Sequence, residues 1–406
     1  MAQTRPAHTL DSRTPPHIVT LVLIAGIGAL SMNIFLPSLP AMAEHFGAEY
    51  GLVSLTISGY LAIIGVLQVI IGPLSDRYGR RPVLLGALGI FCLATLGALL
   101  APNIWVLLFF RALQAAVAAG IVLSRAIVRD MVPADQAASM IGYVTMGMSL
   151  VPMVGPIIGG WLDAAFGWQA SFIALLLFGL AVTAMVWRDL GETNSDPSAS
   201  FADQFRAYPE LIRARRFWGY AFTAAFASGA YFAFLGGAPW VASEYLGLTS
   251  AEVGAWFSAP AIGYMLGNFL SGRYSGALGL NRMMLTGGLV AVAGAVLAVA
   301  MFGAGILHPI SLFGPIALVG VGNGLTLPSA NAGIVSVRPR LAGSASGLGG
   351  ALMIGGGAAL AAFTGAMLGG DSGPWPLLYV MAIASALSVA TTLYVIRRAR
   401  VAGDLD

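Results

Sequence analysis

The stretch GPLSDRYGRR, residues 72–81, is a charged island in a chain that otherwise carries little charge. It separates two apolar runs, residues 52–71 and 83–101, and each run is long enough to cross a bilayer as a helix. One acid and three arginines would be costly within hydrocarbon, so the island must lie in water at one membrane face. The stretch therefore predicts a cytoplasmic turn between two transmembrane helices.

Composition extends this interpretation to the whole chain of 406 residues. Hydrophobic residues make up 58% of the chain and charged residues 9%, against about 25% charged residues in typical soluble domains. Apolar runs of about 17 to 25 residues predict twelve spans, and hence an all-α membrane protein. We number the predicted spans 1 to 12, and they lie at residues 18–36, 52–71, 83–101, 104–127, 139–161, 168–187, 217–239, 253–272, 283–303, 309–331, 342–368 and 375–396.

The longest polar stretch divides the chain into two halves of six spans. The predicted parts are a cytoplasmic tail at 1–17, an N-terminal six-helix half at 18–188, a cytoplasmic linker at 189–216, a C-terminal six-helix half at 217–396 and a second tail at 397–406. Residues 272–285 keep Gly, Ser, Gly and Leu in register with residues 72–85, 200 positions earlier. Two six-helix repeats are typical of alternating-access transporters, which bind substrate at the midplane between their halves.

Orientation follows from the basic residues, which number 20 and are all arginine. All except Arg111 and Arg125 fall in the two tails or near the loops that follow even-numbered spans, and the loops on the other side contain none. The positive-inside rule then predicts a multi-pass membrane protein with both termini in the cytoplasm. The arginines are dispersed over short loops, so nothing supports nucleic-acid binding.

Several motifs resemble the major facilitator superfamily. The island looks like that superfamily's signature between spans 2 and 3, through Gly72, Leu74, Asp76, Arg77, Gly79, Arg80 and Arg81. Span 5 resembles the motif that is associated with exporters of this superfamily, through Gly142, Gly155, Pro156 and Gly159. The runs SMNIFLPSLP, residues 31–40, and AGSASG, residues 342–347, are similar to the bicyclomycin and chloramphenicol resistance (Bcr/CflA) branch of drug:proton antiporters. The resemblance covers essentially the whole chain and implies two halves that rock around a central cavity.

A gate on the cytoplasmic side is predicted around the island. Asp76 would cap the first turn of span 11 near Ala342, where the helix dipole favours a negative charge by about 0.3 to 1 kcal/mol. The resemblance implies a wider gating set, which comprises Gly72, Asp76, Arg77, Gly79, Arg80, Arg129 and Asp130. Topology alone explains Arg77 and Arg81 at least as well as gating does.

Inside the bilayer, Arg111 lies about 10 Å from the outer end of span 4, and Gln114 follows it on the same helix face. The resemblance implies that an arginine here lines the central cavity, so we predict that both residues bind substrate. The alternative is a structural arginine that is hydrogen-bonded to neighbouring backbone carbonyls. Arg125 lies near the inner end of the span, and there we expect it to extend towards the interface.

Asn33 stands where the resistance branch usually has an aspartate that carries the proton. An asparagine hydrogen-bonds but does not titrate, so we predict either a substrate ligand or an interhelical hydrogen bond worth about 0.6 to 2 kcal/mol. Proton coupling would then use the substrate itself or one of the acids at the span ends, which are Asp76, Asp130, Asp163 and Asp189.

Two further sets complete the predicted site. Tyr231 and Phe234 share a face of span 7 and are predicted to line an apolar cavity wall. Span 5 is predicted to act as a hinge, because prolines kink helices and small residues allow helices to approach closely and slide. The hinge set is Gly142, Pro152, Gly155, Pro156 and Gly159. Rigid close packing would use the same residues.

The resemblance thus implies a multidrug or antibiotic exporter of the bacterial inner membrane, and we predict that it is coupled to the proton gradient and acts as a monomer, with a small molecule, protons and lipid as partners. The alternatives are an uncoupled uniporter or importer of a small, possibly anionic metabolite, and a membrane scaffold or sensor without transport. No enzyme or phosphate-binding motif is present, and the chain contains no lysine. A single cysteine, Cys92, shares its span with no histidine, so we predict no metal and no cofactor.

Overall fold

The computed structural model describes residues 16–132, 140, 144, 148, 151–194, 208–338, 341–369 and 372–401. Within these residues, ten helices are long and apolar enough to cross a membrane. The two remaining spans are helical as well: span 5 contains the shorter apolar helix Val151–Phe166, and span 8 consists of Ser250–Trp256 and Ser258–Leu278. The predicted all-α membrane architecture is confirmed.

The helices follow the predicted order with different ends. The first half contains Ile18–Asn33 and Leu39–Phe46 in span 1, Tyr50–Tyr78 in span 2, Arg80–Leu99 in span 3, Ile104–Gln114 and Ala118–Met131 in span 4, Val151–Phe166 in span 5 and Gln169–Asp189 in span 6. After a short helix, Tyr208–Arg213, the second half contains Arg215–Trp240 in span 7, the two helices of span 8, Leu280–Gly303 in span 9, Pro309–Ser336 in span 10, Ala342–Met367 in span 11 and Trp375–Val401 in span 12.

The charged island is mostly helix, so the predicted turn is wrong in its extent. Span 2 continues through Asp76 to Tyr78 and span 3 begins at Arg80, which leaves Gly79 as the whole connection. Gly79 has φ 93° and ψ 151°, a conformation that costs other residues energy. Charged residues end an apolar run, but they do not end a helix, because the helical hydrogen bonds still satisfy the backbone beyond the membrane.

The same connection recurs 200 residues later. Span 8 ends at Leu278, span 9 begins at Leu280, and Gly279 between them has φ 77°. With ψ 158°, Gly279 has nearly the same conformation as Gly79, and glycine adopts it more readily than any other residue. The internal repeat read from the sequence therefore corresponds to the same backbone turn in both halves.

Spans 1 and 4 are interrupted rather than continuous. In span 1 the α-helix ends at Asn33 and a 3-10 turn, Leu36–Ser38, leads into the helix Leu39–Phe46. Pro37 and Pro40 explain this break, because proline lacks the backbone donor and disfavours helical geometry in the residue before it. In span 4 a 3-10 turn, Ala115–Val117, separates the two helices.

The two halves pack closely at the end of the bundle that is free of arginine. Here a Cβ built on Gly254 of span 8 would collide with the Pro156 carbonyl of span 5, and one on Gly51 of span 2 would lie 3.1 Å from the Gly365 carbonyl of span 11. Towards the arginine-rich end, Gly72 of span 2 and Gly347 of span 11 have open space instead. Spans 2 and 11 therefore stay in contact as far as Gln68 and Gly350, and the open space lies beyond these residues, at the turns that contain Gly72 and Gly347.

Candidate functional site

Arg111 lies at the centre of a buried polar network in the first half. Its side chain is 1% exposed. Nε and Nη2 donate to the Thr56 carbonyl of span 2 at 3.2 and 3.1 Å, and Nη1 donates to Gln114 Oε1 at 2.7 Å. Nη1 also contacts the carbonyl and the hydroxyl oxygen of Ser31 in span 1, each at 3.3 Å. One guanidinium thus links spans 1, 2 and 4.

Aromatic rings complete the environment of this charge. The Arg111 guanidinium carbon lies 4.4 Å from the ring centroid of Phe35 and 4.2 Å from that of Tyr60, and such cation–π contacts are stabilising when desolvated. Within the described part of the chain, Arg111 forms no salt bridge. Backbone carbonyls and rings therefore take the place of a counter-ion.

The interruption of span 1 explains why the Ser31 carbonyl is available to accept a hydrogen bond from Arg111. The helix ends at Asn33, so the Ser31 carbonyl lies in its last turn, where backbone acceptors lack intrahelical partners. Arg111 donates to that oxygen. The predicted pair of Arg111 and Gln114 does come together, and Gln114 extends the network to span 3 by donating to Thr95 Oγ1 at 2.7 Å.

Asn33 does not join this network. Its Nδ2 donates to the Ala29 carbonyl of its own helix at 2.7 Å, and its buried Oδ1 has no hydrogen-bond partner among the described residues. On its other side it faces span 5, where a Cβ built on Gly155 would lie 3.4 Å from the Asn33 Cβ. The predicted ligand Asn33 and the predicted hinge glycine are therefore neighbours.

The other hinge residues follow the same interface. A Cβ on Gly159 would collide with the Ile34 carbonyl, so spans 1 and 5 touch backbone to backbone at this point. Pro152 and Pro156 both lie in the helix Val151–Phe166. Gly142 lies outside the described residues.

Tyr231 and Phe234 belong to an aromatic cluster of the second half. Their rings stack with centroids 6.2 Å apart, and Phe234 packs at 5.0 Å on Phe257 of span 8 and at 6.0 Å on Phe313 of span 10. Phe234 is fully buried, whereas Tyr231 is half-buried. The cluster joins spans 7, 8 and 10, and of the two residues Tyr231 has the more accessible ring.

The island forms a charge network within the first half. Arg80 makes an ion pair with Asp76 one turn earlier, donates from Nε to Asp130 Oδ2 of span 4 at 3.0 Å, and contacts Ser75 Oγ at 2.6 Å. Arg77 stacks on Tyr78 at the surface, and Arg129 is exposed. The N-cap residue of span 11, Leu341, makes no capping side-chain hydrogen bond, and among the described residues Asp76 pairs with Arg80, so a contact of Asp76 with span 11 stays a prediction.

Three residues after span 6 complete the network, and sequence reasoning missed them. Glu192 accepts hydrogen bonds from the backbone N–H groups of Arg80 and Arg81 at 2.9 and 3.2 Å, where span 3 begins. Thr193 Oγ1 contacts Asp130 Oδ2 at 3.2 Å, and Asn194 Nδ2 donates to the Asp76 carbonyl at 2.8 Å.

The Glu192–Thr193–Asn194 segment thus caps the facing ends of spans 2 and 3. Acidic side chains are favourable at a helix N-terminus, and side-chain donors near a C-terminus satisfy free carbonyls. A Cβ on Gly79 would collide with the Glu192 carboxylate, which is a second reason for glycine at that position. A run of cap-forming residues directly after a span was the sequence signal that could have identified the segment.

We expect Glu192→Ala to loosen this connection. The variant leaves two backbone donors at the start of span 3 without their acceptor, which costs about 1 kcal/mol, and transport should slow several-fold. Glu192→Gln keeps one acceptor oxygen, so it should slow transport less than Glu192→Ala does. The matched control is Glu210→Ala, since Glu210 forms an exposed pair with Arg338 that contributes little. Equal transport rates for the Glu192→Ala and Glu210→Ala variants in vesicles would contradict the expectation.

Asp189 at the end of span 6 is fully buried. Its Oδ2 accepts hydrogen bonds from the His17 backbone at 2.9 Å and from Thr20 Oγ1 at 2.5 Å. The carboxylate therefore lies at the N-terminus of span 1, where the helix dipole favours it. Of the four acids named from the sequence, this one is the most deeply buried, whereas Asp76 and Asp130 pair with Arg80.

Comparisons with known proteins agree with the fold. The sequence model described as Major Facilitator Superfamily matches residues 21–348 and 220–405. A chloramphenicol resistance protein of Pseudomonas aeruginosa is 31% identical over 73% of this chain and 71% of its own length. Multidrug resistance protein D of Escherichia coli is 29% identical over 82% of this chain and 84% of its own. A bacterial homologue of the human lysosomal transporter Spinster, solved in an inward-facing and unoccupied conformation, superposes with a TM-score of 0.66 at 20% identity, covering 93% of this chain and 94% of its own.

Proposed function

The chain belongs to the major facilitator superfamily, and on that premise we propose that it exports small amphipathic compounds, antibiotics among them, across the bacterial inner membrane. Membership of this superfamily makes the chain a many-span membrane transporter of small molecules and not an enzyme. Relatives named for resistance to chloramphenicol and to multiple drugs support export of such compounds.

The packing of the two halves is the observation that carries the mechanism. The halves touch backbone to backbone at the arginine-free end, whereas no atom lies within 4 Å of a Cβ built on Gly72 or Gly347 near the other end. With the arginine-rich end and both termini in the cytoplasm, as the positive-inside rule predicts, we propose that this arrangement is the one that loads an exported substrate from the cytoplasm. Alternating access then requires the glycine contacts to separate and the arginine-rich ends to close.

In the closed arrangement, we propose that Asp76 reaches the first turn of span 11. Its pair with Arg80 and the contact of Arg80 with Asp130 hold the carboxylate in place within the first half. Gly72 allows close approach, because a Cβ there meets no atom within 4 Å at present. Arg77, Gly79 and Arg129 border the same network and belong to the proposed gate.

We propose the same binding residues as the sequence analysis, and their contacts support different parts for them. Asn33 and Tyr231 are the better candidates for direct contact, since Asn33 Oδ1 has no partner among the described residues and the Tyr231 ring is half-buried. Arg111, Gln114 and Phe234 are buried, as Asn33 is, but their polar groups or rings are already engaged by protein. These three would act from behind the cavity wall.

Coupling to protons is tested by transport of a phenicol into vesicles under an imposed pH gradient, for the wild type and for Asn33→Asp. We expect uphill transport by the wild type through one of the acids at the span ends, with Asp189 the first to replace by asparagine. If only the Asn33→Asp variant transports uphill, the native protein is an uncoupled facilitator. Reconstituted protein without flux of any phenicol would contradict export itself and would favour a scaffold or sensor.

A further inference from the structure

Charges inside the spans bear on which compounds this exporter accepts. Arg111 and Arg125 are the arginines that the positive-inside rule does not explain, because both lie within span 4 and away from the loops. Arg111 is buried without a salt bridge to any described residue. The carbonyls and rings around it stabilise this charge but carry no negative charge of their own, so the first half keeps a net positive charge beneath the cavity wall, where charges are poorly screened.

Arg125 adds a second positive charge to span 4, nearer the arginine-rich end from which an exported substrate would enter. It lies six residues before the end of the helix Ala118–Met131, about 9 Å from the arginine-rich end at 1.5 Å per residue. Its side chain is exposed, whereas its neighbours Ser124 and Ala126 are buried, and it makes no ion pair within the described residues. An exposed arginine at this depth is far more stable in water than in lipid, so its guanidinium belongs on a water-facing side of the bundle near the arginine-rich end.

Carboxylates that would balance these charges lie elsewhere. Each acid within the described ranges is at a span end or outside a span, and Asp76, Asp130 and Asp189 are already engaged by Arg80 or by the start of span 1. At the position in span 1 where an acid would face span 5, the chain has Asn33. The interior of the described bundle is therefore net positive.

We propose that the cleft selects uncharged or anionic amphipathic compounds and rejects cations. The inference rests on the proposed export function and names its substrate class. A cation entering the cleft would lose hydration and meet two like charges without a carboxylate to pair with, whereas an anion gains from both. The aromatic cluster around Tyr231 and Phe234 supplies the apolar contact that either class requires.

The opposite mouth has the reverse charge. At the arginine-free end a depression of about 1400 Å³ is lined by Glu44, Glu49 and Glu244, with Tyr50 and Trp240 in its wall. These carboxylates repel a released anion and so slow its return, whereas they would retain a cation. The positive charge at the entry and the negative charge at the exit therefore both favour export of an anion over export of a cation.

The test uses two ions of the same shape and opposite charge, tetraphenylborate and tetraphenylphosphonium. Equilibrium dialysis of each radiolabelled ion against the purified full chain in detergent, with empty micelles subtracted, gives the two affinities. We expect the anion to bind at least tenfold more tightly. Arg125→Gln should reduce that ratio several-fold, and Asn33→Asp should raise the affinity for the cation. The control Arg400→Gln removes the same charge from the exposed end of span 12 and should leave the ratio unchanged.

Equal affinities, tighter binding of the cation, or no binding of either ion would overturn the proposed selectivity. An equal change of the ratio in Arg125→Gln and Arg400→Gln would also overturn it, because general surface charge would then be the cause. Transport of chloramphenicol, which is uncharged, is measured separately in vesicles. If the protein transports chloramphenicol but binds the cation more tightly than the anion, the proposed export function is retained and only the proposed substrate class is refuted.

Discussion

Replacing Arg111 with leucine is expected to lower the melting temperature of the purified protein strongly and to reduce transport more than tenfold. The change removes the donor from the Ser31 carbonyl and from Gln114 Oε1, and a second donor from the Thr56 carbonyl, which lies inside the helix Tyr50–Tyr78 and keeps its helical hydrogen bond. Each buried acceptor left without a donor costs about 1 to 3 kcal/mol. Spans 1, 2 and 4 would lose their common link, so the first half should no longer hold its shape.

Arg111→Lys is the matched control for this prediction, because it keeps the charge but not the planar fork that reaches two spans at once. We expect the lysine variant to recover only part of the melting temperature. If Arg111→Leu instead melts like the wild type and loses only substrate affinity, then Arg111 is a ligand, as the sequence predicted, and the structural role is refuted. A thermal scan of both variants in one detergent, followed by a binding measurement, separates these outcomes.

Gly254→Ala is expected to impair transport about tenfold or more while each half stays folded. The new Cβ would collide with the Pro156 carbonyl across the contact between spans 8 and 5. Overpacking of this kind costs about 1 to 3 kcal/mol, and 1.4 kcal/mol is a tenfold change in an equilibrium constant. That cost falls only on the arrangement in which the arginine-free ends touch, so the population shifts to the opposite arrangement.

Gly59→Ala is the control for Gly254→Ala, since Gly59 lies in the middle of span 2 with no atom of another element within 4 Å of a built Cβ. Labelling of a cysteine introduced as Ser250→Cys, in a Cys92→Ser background, reports whether the arginine-free ends have separated. We expect faster labelling in the Gly254→Ala variant than in the Gly59→Ala variant. The same labelling rate and the same transport in both would show that the glycine contact does not control access.

Motifs identified from the sequence differ in how well they locate partners. The sequence predicted that Asp76, Arg80 and Asp130 belong to one charge network, and the structure shows Arg80 paired with both acids. Charged residues are rare in this chain, so each has few possible partners of opposite charge. The same reasoning did not find Glu192, whose partners lie more than 100 residues away along the chain. Asn33 and Arg111 were both predicted to bind substrate, yet Asn33 faces span 5 while Arg111 contacts Ser31 and Phe35 on another side of span 1.

Composition and pattern by themselves determined that this chain is a bundle of twelve spans in two repeated halves, because hydrocarbon accepts only long apolar helices with satisfied backbones. Tertiary structure alone decided where those helices end, which end of the bundle is packed shut, and that carbonyls and rings hold Arg111. These features depend on contacts between residues far apart in the chain, such as Gly254 with Pro156 and Glu192 with the start of span 3. The local pattern of hydrophobic residues does not predict which distant residues come into contact, because these contacts depend on how the helices pack against one another.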